Sequence, residues 1–338
     1  MLAVCGGVGG AKLAFGLQEE VGAALTVMVN TGDDFTHLGL AISPDIDTVL
    51  YTLGGLADPV RGWGRAGETW QFMTALRQLG GEDWFQLGDL DLAMHVERTR
   101  RLAGGERLSA VTADTARRLA LAARVLPMSD EPVRTTVETS QGRLAFQHYF
   151  VRERCMPSVL GLRFEGAERA RILPELADLL ADDALCAVII CPSNPYLSID
   201  PILALPGMRE ALARCAAPVV AVSPLIGGQA VKGPTAKIMG ELGLAAGSAA
   251  IARHYAGLVD GLVVDTADAA DADRVLAFGL SCMVAPTLMK GPQERVALAR
   301  QCLAFAHELD AKRRAERPEE TQPWSRSWTE QDSGPSCP

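Results

Sequence analysis

An apolar run, a glycine cluster and a helical pattern follow one another at the start of the chain, and this order most constrains the fold. Residues 1–5 are apolar, four of residues 6–10 are glycine, and the helical pattern covers residues 11–20. A strand that enters a helix through glycines presents backbone N–H groups and the positive end of the helix dipole to an anion. The segment therefore predicts a phosphate-binding turn. The alternative is a tight turn that only packs helix against strand, since the spacing differs from the dinucleotide fingerprint.

Four aspartates follow the next apolar run, which covers residues 25–29. They are Asp33, Asp34, Asp45 and Asp47. Hard divalent cations prefer carboxylate oxygens, and a strand end beside a phosphate-binding turn is a suitable place for them. Asp45 also suits the first turn of a helix, but capping leaves the other carboxylates unexplained. The cluster indicates metal-assisted chemistry on a phosphate or diphosphate.

Composition and charge exclude several classes of protein. The chain has 338 residues and a net charge of −9, without a basic stretch interleaved with aromatics, so we expect no nucleic-acid partner. The eight cysteines include no Cys-x-x-Cys pair, which removes the usual spacing of zinc ligands. No uncharged apolar stretch reaches about 18 residues, and the start lacks the pattern of a signal peptide. We expect a cytoplasmic protein without a membrane partner.

Short apolar runs that end at turn-forming residues alternate with helical patterns along the chain. Such runs are typical of strands buried on both faces of a parallel sheet. We therefore predict a Rossmann-like, doubly wound α/β fold with a mostly parallel sheet, built from residues 1–60 and 171–311. Residues 61–170 are interpreted as an inserted region, with helices first and a hairpin after them. Residues 312–338 are rich in charge, Pro and Ser, and we expect them to be disordered.

Two segments of the inserted region carry groups that suit ligand binding. Trp63 lies in Arg-Gly-Trp-Gly, where it either packs the loop down or offers a stacking surface to a planar ring. Asp91, His95 and Arg98 fall on one face of a predicted helix at i, i+4 and i+7. This face is either a solvated surface or the polar wall of a site. Asp89 or Asp91 alone also suits the helix N-cap.

Polar loops follow two later apolar runs. Cys-Pro-Ser-Asn-Pro places Ser193 and Asn194 after one run, and Ser-Pro-Leu-Ile-Gly-Gly places Ser223, Gly227 and Gly228 after the next. In open parallel sheets, ligands bind where the carboxyl ends of the strands meet. The loops are therefore candidates for a ligand crevice, although ordinary strand-to-helix turns explain each loop taken alone.

Taken together, these motifs resemble one family, the 2-phospho-L-lactate transferases of coenzyme F420 biosynthesis. The resemblance runs from residue 4 to about residue 289, and the combination is specific although each motif alone is not. The motifs, in the order expected of that family, are Gly-Gly-Val-Gly-Gly-Ala-Lys, Val-Asn-Thr-Gly-Asp-Asp, Ser-Pro-Asp-Ile-Asp-Thr-Val-Leu-Tyr-Thr-Leu, Arg-Gly-Trp-Gly, Leu-Gly-Asp-Leu-Asp-Leu-Ala-Met-His, Leu-Pro-Met-Ser-Asp, Cys-Pro-Ser-Asn-Pro and Ser-Pro-Leu-Ile-Gly-Gly.

The resemblance implies a transfer reaction between two small molecules. The 5′-hydroxyl of the ribityl chain of 7,8-didemethyl-8-hydroxy-5-deazariboflavin (Fo) attacks a guanosine diphosphate-linked donor, giving GMP and F420-0 or its dehydro form. The donor carries a phosphorylated three-carbon acid, such as the phosphoenolpyruvyl or 2-phospholactyl group. The resemblance implies a Mg²⁺-dependent phospho-group transferase of the EC 2.7.8 type, and it leaves a homodimer open.

The resemblance also implies roles for individual residues. Asp47 and Asp45 would be catalytic, with Asp47 the first choice for contact with the metal or the ribityl hydroxyl, and Asp33, Asp45 and Asp47 would hold the metal. Trp63 would flank the deazaflavin ring. Gly7, Gly9 and Gly10 would approach the donor phosphates, and Ser193, Asn194, Gly227 and Gly228 would line the guanosine side. The other expected substrate contacts are Lys12, Asn30, Asp34, Thr48, Gln86, Asp89, His95, Arg98 and Ser223.

One departure from the family pattern concerns the acceptor. The family often has Arg after Leu-Gly-Asp, where this chain has Leu90, and Gln86 stands where a basic residue or glycine is frequent. Arg98 is a candidate for the missing cation. Two other functions are compared with the transferase. A nucleotide-sugar-binding regulator of the gluconeogenesis-factor type would lack the Asp-x-Asp-Thr and Arg-Gly-Trp-Gly segments, and the glycine spacing disfavours an NAD-dependent dehydrogenase.

Overall fold

A seven-stranded parallel sheet forms the centre of the molecule in a computed structural model, which describes residues 1–231, 234–244 and 246–316. The strands are β1 (Leu2–Cys5), β2 (Thr26–Val29), β3 (Phe35–His37), β4 (Leu40–Ile42), β5 (Arg124–Pro127), β6 (Arg134–Thr139), β7 (Gly142–Ala145), β8 (Val159–Glu165), β9 (Val188–Ile190), β10 (Val219–Val222), β11 (Leu225–Ile226), β12 (Gln229–Ala230), β13 (Gly261–Asp265) and β14 (Ser281–Ala285). The order in the main sheet is β14-β13-β10-β9-β1-β2-β5.

The strand order reverses between β1 and β9. From β1 the chain continues outward to β2 and β5, whereas β9, β10, β13 and β14 fill the other side. Leu2 of β1 is in register with Thr26 of β2 and with Val188 of β9, and both pairings are parallel. At such a reversal, the loops after the two strands separate and open a crevice at their carboxyl ends. The predicted doubly wound α/β fold is confirmed. The carboxyl ends of β1 and β9 are therefore where a ligand is expected to bind.

Helices cover both faces of the sheet. They are α1 (Gly7–Val21), α2 (Pro44–Leu53), α3 (Gln71–Gln78), α4 (Asp89–Ala103), α5 (Leu108–Arg118), α6 (Pro174–Ala181), α7 (Asp200–Leu203), α8 (Met208–Arg214), α9 (Thr235–Glu241), α10 (Ser248–Tyr255), α11 (Ala272–Leu276) and α12 (Pro292–Glu316). Two 3₁₀ turns, Gly22–Ala24 and Thr266–Asp271, and two π-helical turns, His148–Arg152 and Pro195–Ile199, complete the chain trace.

Alternate residues of each central strand enter two separate apolar cores. In β1, Ala3 and Cys5 join the core that contains α1, α2 and α12, while Leu2 and Val4 join the core that contains α6, α8 and α10. All four side chains are fully buried. Burial on both faces explains why the strand reads as a continuous apolar run in the sequence. The two cores hold the loops at the strand ends in fixed positions.

The inserted region contains more of the main sheet than the sequence indicated. Helices α3, α4 and α5 occupy its first half, and β6 and β7 form an antiparallel hairpin. Strand β8 joins that hairpin as a third antiparallel strand. Strand β5 also lies within residues 61–170, yet it pairs in parallel with β2 and forms an edge of the main sheet. Strand β5 begins with the exposed Arg124 and ends with Pro127, so it lacks the continuous apolar run by which β1 and β2 were recognised.

The last helix, α12, extends past the expected start of the tail at residue 312. Its end is tied to the sheet, because Arg313 forms an ion pair with Asp260 and donates to the backbone O of Ala216 at 3.3 Å. Residues 312–316 are therefore helical, and residues 317–338 lie outside the described residues. Within the described ranges, no helix is both long and apolar enough to cross a bilayer.

Candidate active site

A cavity of about 520 Å³ opens at the carboxyl ends of β1 and β9, where the strand order reverses. Its wall is shared between the loops of the main sheet and the inserted region. The predicted site residues on this wall are Gly7, Gly9, Lys12, Asp33, Asp45, Asp47, Thr48, Trp63, Gln86, His95, Ser193, Asn194 and Ser223. The predicted residues that do not line it are Gly10, Asn30, Asp34, Asp89, Arg98, Gly227 and Gly228.

The glycine turn is shaped by close packing against the loop after β9. Gly7 has a φ of 64°, which favours glycine. A Cβ on Gly9 would overlap the carbonyl O of Pro192, and one on Gly10 would lie 2.6 Å from Ser193 Oγ. The packing interpretation thus explains these glycines without a ligand. The turn still faces the cavity through Gly7 and Gly9, at the N-terminal end of α1, where an anion is favoured.

The loop after β9 uses its polar side chains partly for its own structure. Ser193 Oγ donates to the backbone O of Gly6 at 2.9 Å and accepts from its N–H at 3.2 Å. Asn194 Oδ1 accepts from the backbone N–H groups of Tyr196 and Leu197, and so caps the following π-helical turn. Both residues line the cavity, and their hydrogen bonds order the loop at its edge.

Asp33 and Asp45 form a buried carboxylate pair on the cavity wall. Asn30 Nδ2 donates to Asp33 Oδ1 at 3.2 Å and to Asp45 Oδ2 at 2.9 Å. Gly7 N donates to Asp45 Oδ1 at 2.7 Å, which joins the pair to the glycine turn. Burial raises the pKa of Asp45 to about 6, and burial together with the charge of Asp45 raises the pKa of Asp33. The pair therefore favours a bound proton or cation.

Asp34 has a structural position behind the cavity. Ser43 Oγ donates to its Oδ2 at 2.8 Å, across the start of α2. Burial raises the pKa of Asp34 to about 7, although the charges of Arg134 and Arg98 and the bond from Ser43 oppose this shift. Neither Asp34 nor Asn30, both expected to contact a substrate, lines the cavity. Asn30 instead donates to Asp33 and Asp45, and Asp34 accepts from Ser43.

Asp47 forms a buried ion pair with Arg98, the residue that was expected to contact a substrate. Arg98 Nη1 donates to Asp47 Oδ2 at 3.1 Å, and Arg98 Nη2 donates to Asp47 Oδ1. Both side chains are buried, and only Asp47 reaches the cavity wall. A guanidinium that binds both carboxylate oxygens fixes the orientation of the carboxylate as well as balancing its charge.

A second group on α4 faces α2 beside this ion pair. His95 Nε2 lies 3.2 Å from Asp91 Oδ2, and Nδ1 lies 3.7 Å from Asp47 Oδ2. Tyr51 donates its hydroxyl to Asp91 Oδ1 at 2.5 Å. Burial raises the pKa of Asp91, but the interactions with His95 and Tyr51 outweigh burial and hold this pKa below its usual value. The predicted polar face of this helix thus becomes part of the site, where it meets one face of α2.

The three predicted metal ligands do not form one compact set. Among the described residues, Asp47, Asp91 and His95 are the one group of three whose possible ligand atoms all lie within 4.8 Å. Asp47 is already paired with Arg98, however, and Mg²⁺ prefers oxygen ligands to imidazole. Asp33 and Asp45 offer oxygens alone, and they are joined by one neutral amide donor. The chemistry of a hard divalent cation therefore fits Asp33 and Asp45 better.

Three other expected contacts, Asp89, Gly227 and Gly228, have structural partners. Asp89 accepts from Thr69 Oγ1 and from the backbone N–H groups of Gln71 and Phe72, and so caps the start of α3. The N–H groups of Gly227 and Gly228 both donate to the carboxylate of Asp268, each at 2.9 Å. Neither interaction was visible in the sequence, because the partners lie on other elements.

Aromatic side chains from the inserted region line another part of the cavity. Trp63 is 48% exposed, and Arg61 lies over its ring and over that of Trp70, at 5.4 and 4.7 Å from the two centroids. Gln86 lines the cavity beside Phe85, and its Oε1 accepts from Arg77 Nη2 at 3.1 Å. Leu90, the departure from the family pattern, is not on the wall.

Several wall residues were missed by sequence reasoning. They are Tyr51, Phe85, Phe146, Gln147, Phe150, Thr287 and Met289. Asp91 also lines the cavity, on the helix face that its spacing from His95 had indicated. Thr287 and Met289 follow β14. Thr287 donates to Asp265 through its backbone N–H and its hydroxyl, and Lys12 Nζ donates to the backbone O of Met289 at 2.9 Å. Contacts between residues so far apart in the chain leave no recognisable motif in the local sequence.

Fold and site define a doubly wound α/β protein with a carboxylate-rich ligand cavity at the reversal of strand order. A crystal structure of a UPF0052 family protein from Bacillus halodurans has a similar fold, with a TM-score of 0.57 and 16% identity, over 89% of this chain and 98% of that one. Residues 1–277 match the family described as 2-phospho-L-lactate transferase CofD. The chain therefore belongs to the CofD family of transferases.

Relatives with assigned names agree with this membership. A phosphoenolpyruvate transferase from Streptomyces griseus is 41% identical over 318 residues, which cover 92% of this chain and 99% of that protein. A 2-phospho-L-lactate transferase from Methanosarcina acetivorans is 39% identical over 300 residues, covering 88% and 96%. The resemblance drawn from the motifs is thereby confirmed, and it extends over most of the chain.

Proposed function

We propose that the protein transfers a phosphorylated three-carbon acid from a guanosine diphosphate-linked donor to the 5′-hydroxyl of the ribityl chain of Fo. In this reaction a bond forms between the hydroxyl oxygen and the phosphorus that carries the acid. The bond from that phosphorus to GMP breaks, and the hydroxyl proton is released. The phosphoenolpyruvyl and 2-phospholactyl groups are the donor groups suggested by the relatives.

The observation that carries the proposal is the joint wall of one cavity. A glycine turn at a helix N-terminus and an aromatic region line the same cavity, together with a set of buried carboxylates. The carboxylate of Asp45 accepts from Gly7 N in the turn, and Gln147 Nε2, beside the aromatic residues, lies 3.4 Å from the backbone O of Asp33. The residues that carry the carboxylates therefore contact both parts of the wall. Such a wall suits two substrates, one phosphorylated and one with a planar ring, that meet at an acidic centre.

The turn and the loop after β9 would bind the donor. Val8 and Gly9 face the cavity at the N-terminal end of α1, where the helix dipole favours a phosphate. Ser193, Asn194 and Ser223 would line the guanosine side. Gly227 and Gly228 take an indirect part in this proposal, because their N–H groups are bound to Asp268.

Asp33 and Asp45 would hold Mg²⁺. When bound, the metal supplies positive charge that balances the diphosphate and the departing GMP. Asp47 would contact the ribityl hydroxyl, in an orientation set by Arg98. Trp63 would flank the deazaflavin ring. Positioning and charge balance dominate this type of transfer, so little proton chemistry is required of the protein.

Titration with Fo tests the proposal, because Fo absorbs visible light and its spectrum reports binding. The transferase should bind Fo and should bind it more tightly with donor and Mg²⁺ present. A nucleotide-sugar-binding regulator or an NAD-dependent dehydrogenase should leave the spectrum of Fo unchanged. Absence of any spectral change at saturating protein would contradict the proposed acceptor.

A further inference from the structure

Phe150 places an aromatic ring on the wall of the cavity, in the segment after β7. Its ring stacks on Phe146, with the centroids 5.4 Å apart and the planes 15° from parallel. Phe146 is buried in the core, whereas Phe150 remains 39% exposed. The buried ring therefore backs a second ring that stays accessible to a ligand.

The backbone around Phe150 adopts conformations that cost free energy. Residues His148–Arg152 form a π-helical turn. Arg154 and Cys155 both have positive φ values, 49° and 55°, although neither is glycine. π-helical turns and strained residues concentrate at functional sites, where surrounding contacts impose them. The conformation indicates that the placement of this segment serves a site.

Neighbouring side chains anchor the segment on both sides of Phe150. Gln147 is buried, and its Nε2 lies 3.4 Å from the backbone O of Asp33. Tyr149 is fully buried, and Lys237 Nζ lies 3.3 Å from its hydroxyl. His148 packs against Trp84, with centroids 4.7 Å apart. These contacts fix Phe150 relative to the carboxylate pair, because Asp33 is a member of that pair and its backbone O contacts Gln147.

The surroundings of Phe150 suit a flat, largely apolar ligand. Val151, Ile226 and the half-exposed Trp63 line the same cavity. Aromatic rings favour offset or edge contacts with one another, and such contacts add to the effect of burying apolar area. The chemical class that fits is therefore a planar, multi-ring aromatic system.

We propose that Phe150, supported by Phe146, is the stacking subsite for the planar ring of the acceptor. This inference rests on the proposed function for the identity of that ring. It adds a specificity-determining residue to Trp63, and it predicts that any tricyclic ring of similar shape binds at the same subsite.

The test compares Phe150→Leu with Phe150→Tyr in the full chain. Phe278→Leu is the matched control, because Phe278 is 38% exposed and does not line the cavity. Dissociation constants are measured by fluorescence for Fo and for lumichrome, a tricyclic ring without a ribityl chain. The KM values of acceptor and donor are measured in the same variants, and thermal unfolding checks that each variant is folded.

Phe150→Leu should weaken Fo and lumichrome about three- to tenfold, the usual value of an aromatic contact beyond burial. The KM of the donor should stay unchanged, Phe150→Tyr should restore binding, and Phe278→Leu should have no effect. Equal affinity of the wild type and Phe150→Leu for both rings would overturn the inference. If lumichrome binds through Phe150 but Fo does not bind, the subsite stands and the proposed acceptor is wrong. If neither ring binds the wild type, both are wrong.

Discussion

Arg98 on α4 donates to both carboxylate oxygens of Asp47 on α2, and both side chains are buried. Arg98 lies behind the cavity wall, and Asp47 lies on it. A buried carboxylate needs a partner for its charge, and the guanidinium supplies both charge and a fixed geometry. The pair thus connects the stability of two helices to the orientation of a group in the site.

Removal of the guanidinium should destabilise the fold. Arg98→Met leaves the carboxylate of Asp47 buried without its partner, which commonly costs about 3–5 kcal/mol. The control is Arg100→Met, because Arg100 pairs with Glu97 on the surface of the same helix, where a pair contributes about 0–1 kcal/mol. Urea denaturation of both variants measures the difference. Equal stability of the two variants would show that the Arg98 pair has no special energetic role.

The carboxylate pair should make stability fall as pH rises. Burial raises the pKa of Asp45 in the folded state to about 6, above that of an unperturbed aspartate, so the folded state holds a proton that the unfolded chain releases. The wild type should therefore lose stability relative to Asp45→Asn between about pH 4 and pH 7. Thermal unfolding of both proteins across this range is the measurement. A constant difference would mean that Asp45 titrates alike in both states.

Mg²⁺ should reverse this loss, because a cation bound by the ionised pair stabilises the folded state. We expect MgCl₂ to raise the Tm of the wild type more at pH 7.5 than at pH 5. Asp45→Asn should respond less at pH 7.5, and KCl at matched ionic strength is the control for screening. An identical response of both proteins would place the metal elsewhere.

Asp268 should affect donor binding indirectly, because it holds the loop after β10, which lines the donor side of the cavity, without lining the cavity itself. Its carboxylate accepts from Gly227 and Gly228, which follow the wall residues Ser223 and Ile226. Asp268→Ala removes both hydrogen bonds and should raise the KM of the donor more than that of the acceptor. Exposed Asp273, which lies nearby on α11, provides the control Asp273→Ala. Equal KM values in the two variants would limit Asp268 to a structural role.

Local features of the site could be read from the sequence. The glycine turn follows β1 directly and Asp33 follows β2, so their position at the sheet edge was predictable. Asp45 and Asp47 reach the same edge from the first turn of α2, after the short hairpin of β3 and β4. The face formed by Asp91 and His95 was also predictable, because helical spacing places them together.

Features that depend on distant partners could not be read in this way. Asp47 and Arg98 are on different helices, and the sequence gives no sign that they pair. Gly227 and Gly228 resembled ligand contacts, but Asp268 occupies their N–H groups. Phe150 follows a hairpin without any periodic pattern, and its π-helical turn depends on contacts with Asp33 and Lys237.

The most direct test of the transferase proposal is a product assay by mass spectrometry. The full chain is incubated with Fo, Mg²⁺ and each guanosine diphosphate-linked donor in turn, and Asp47→Asn is assayed in parallel. The account predicts equal amounts of GMP and F420-0 or its dehydro form from the wild type. Asp47→Asn should turn over more slowly by about 2–4 kcal/mol of transition-state stabilisation, roughly 30- to 1,000-fold. A folded wild type that forms no modified Fo with any of the donors would contradict the account.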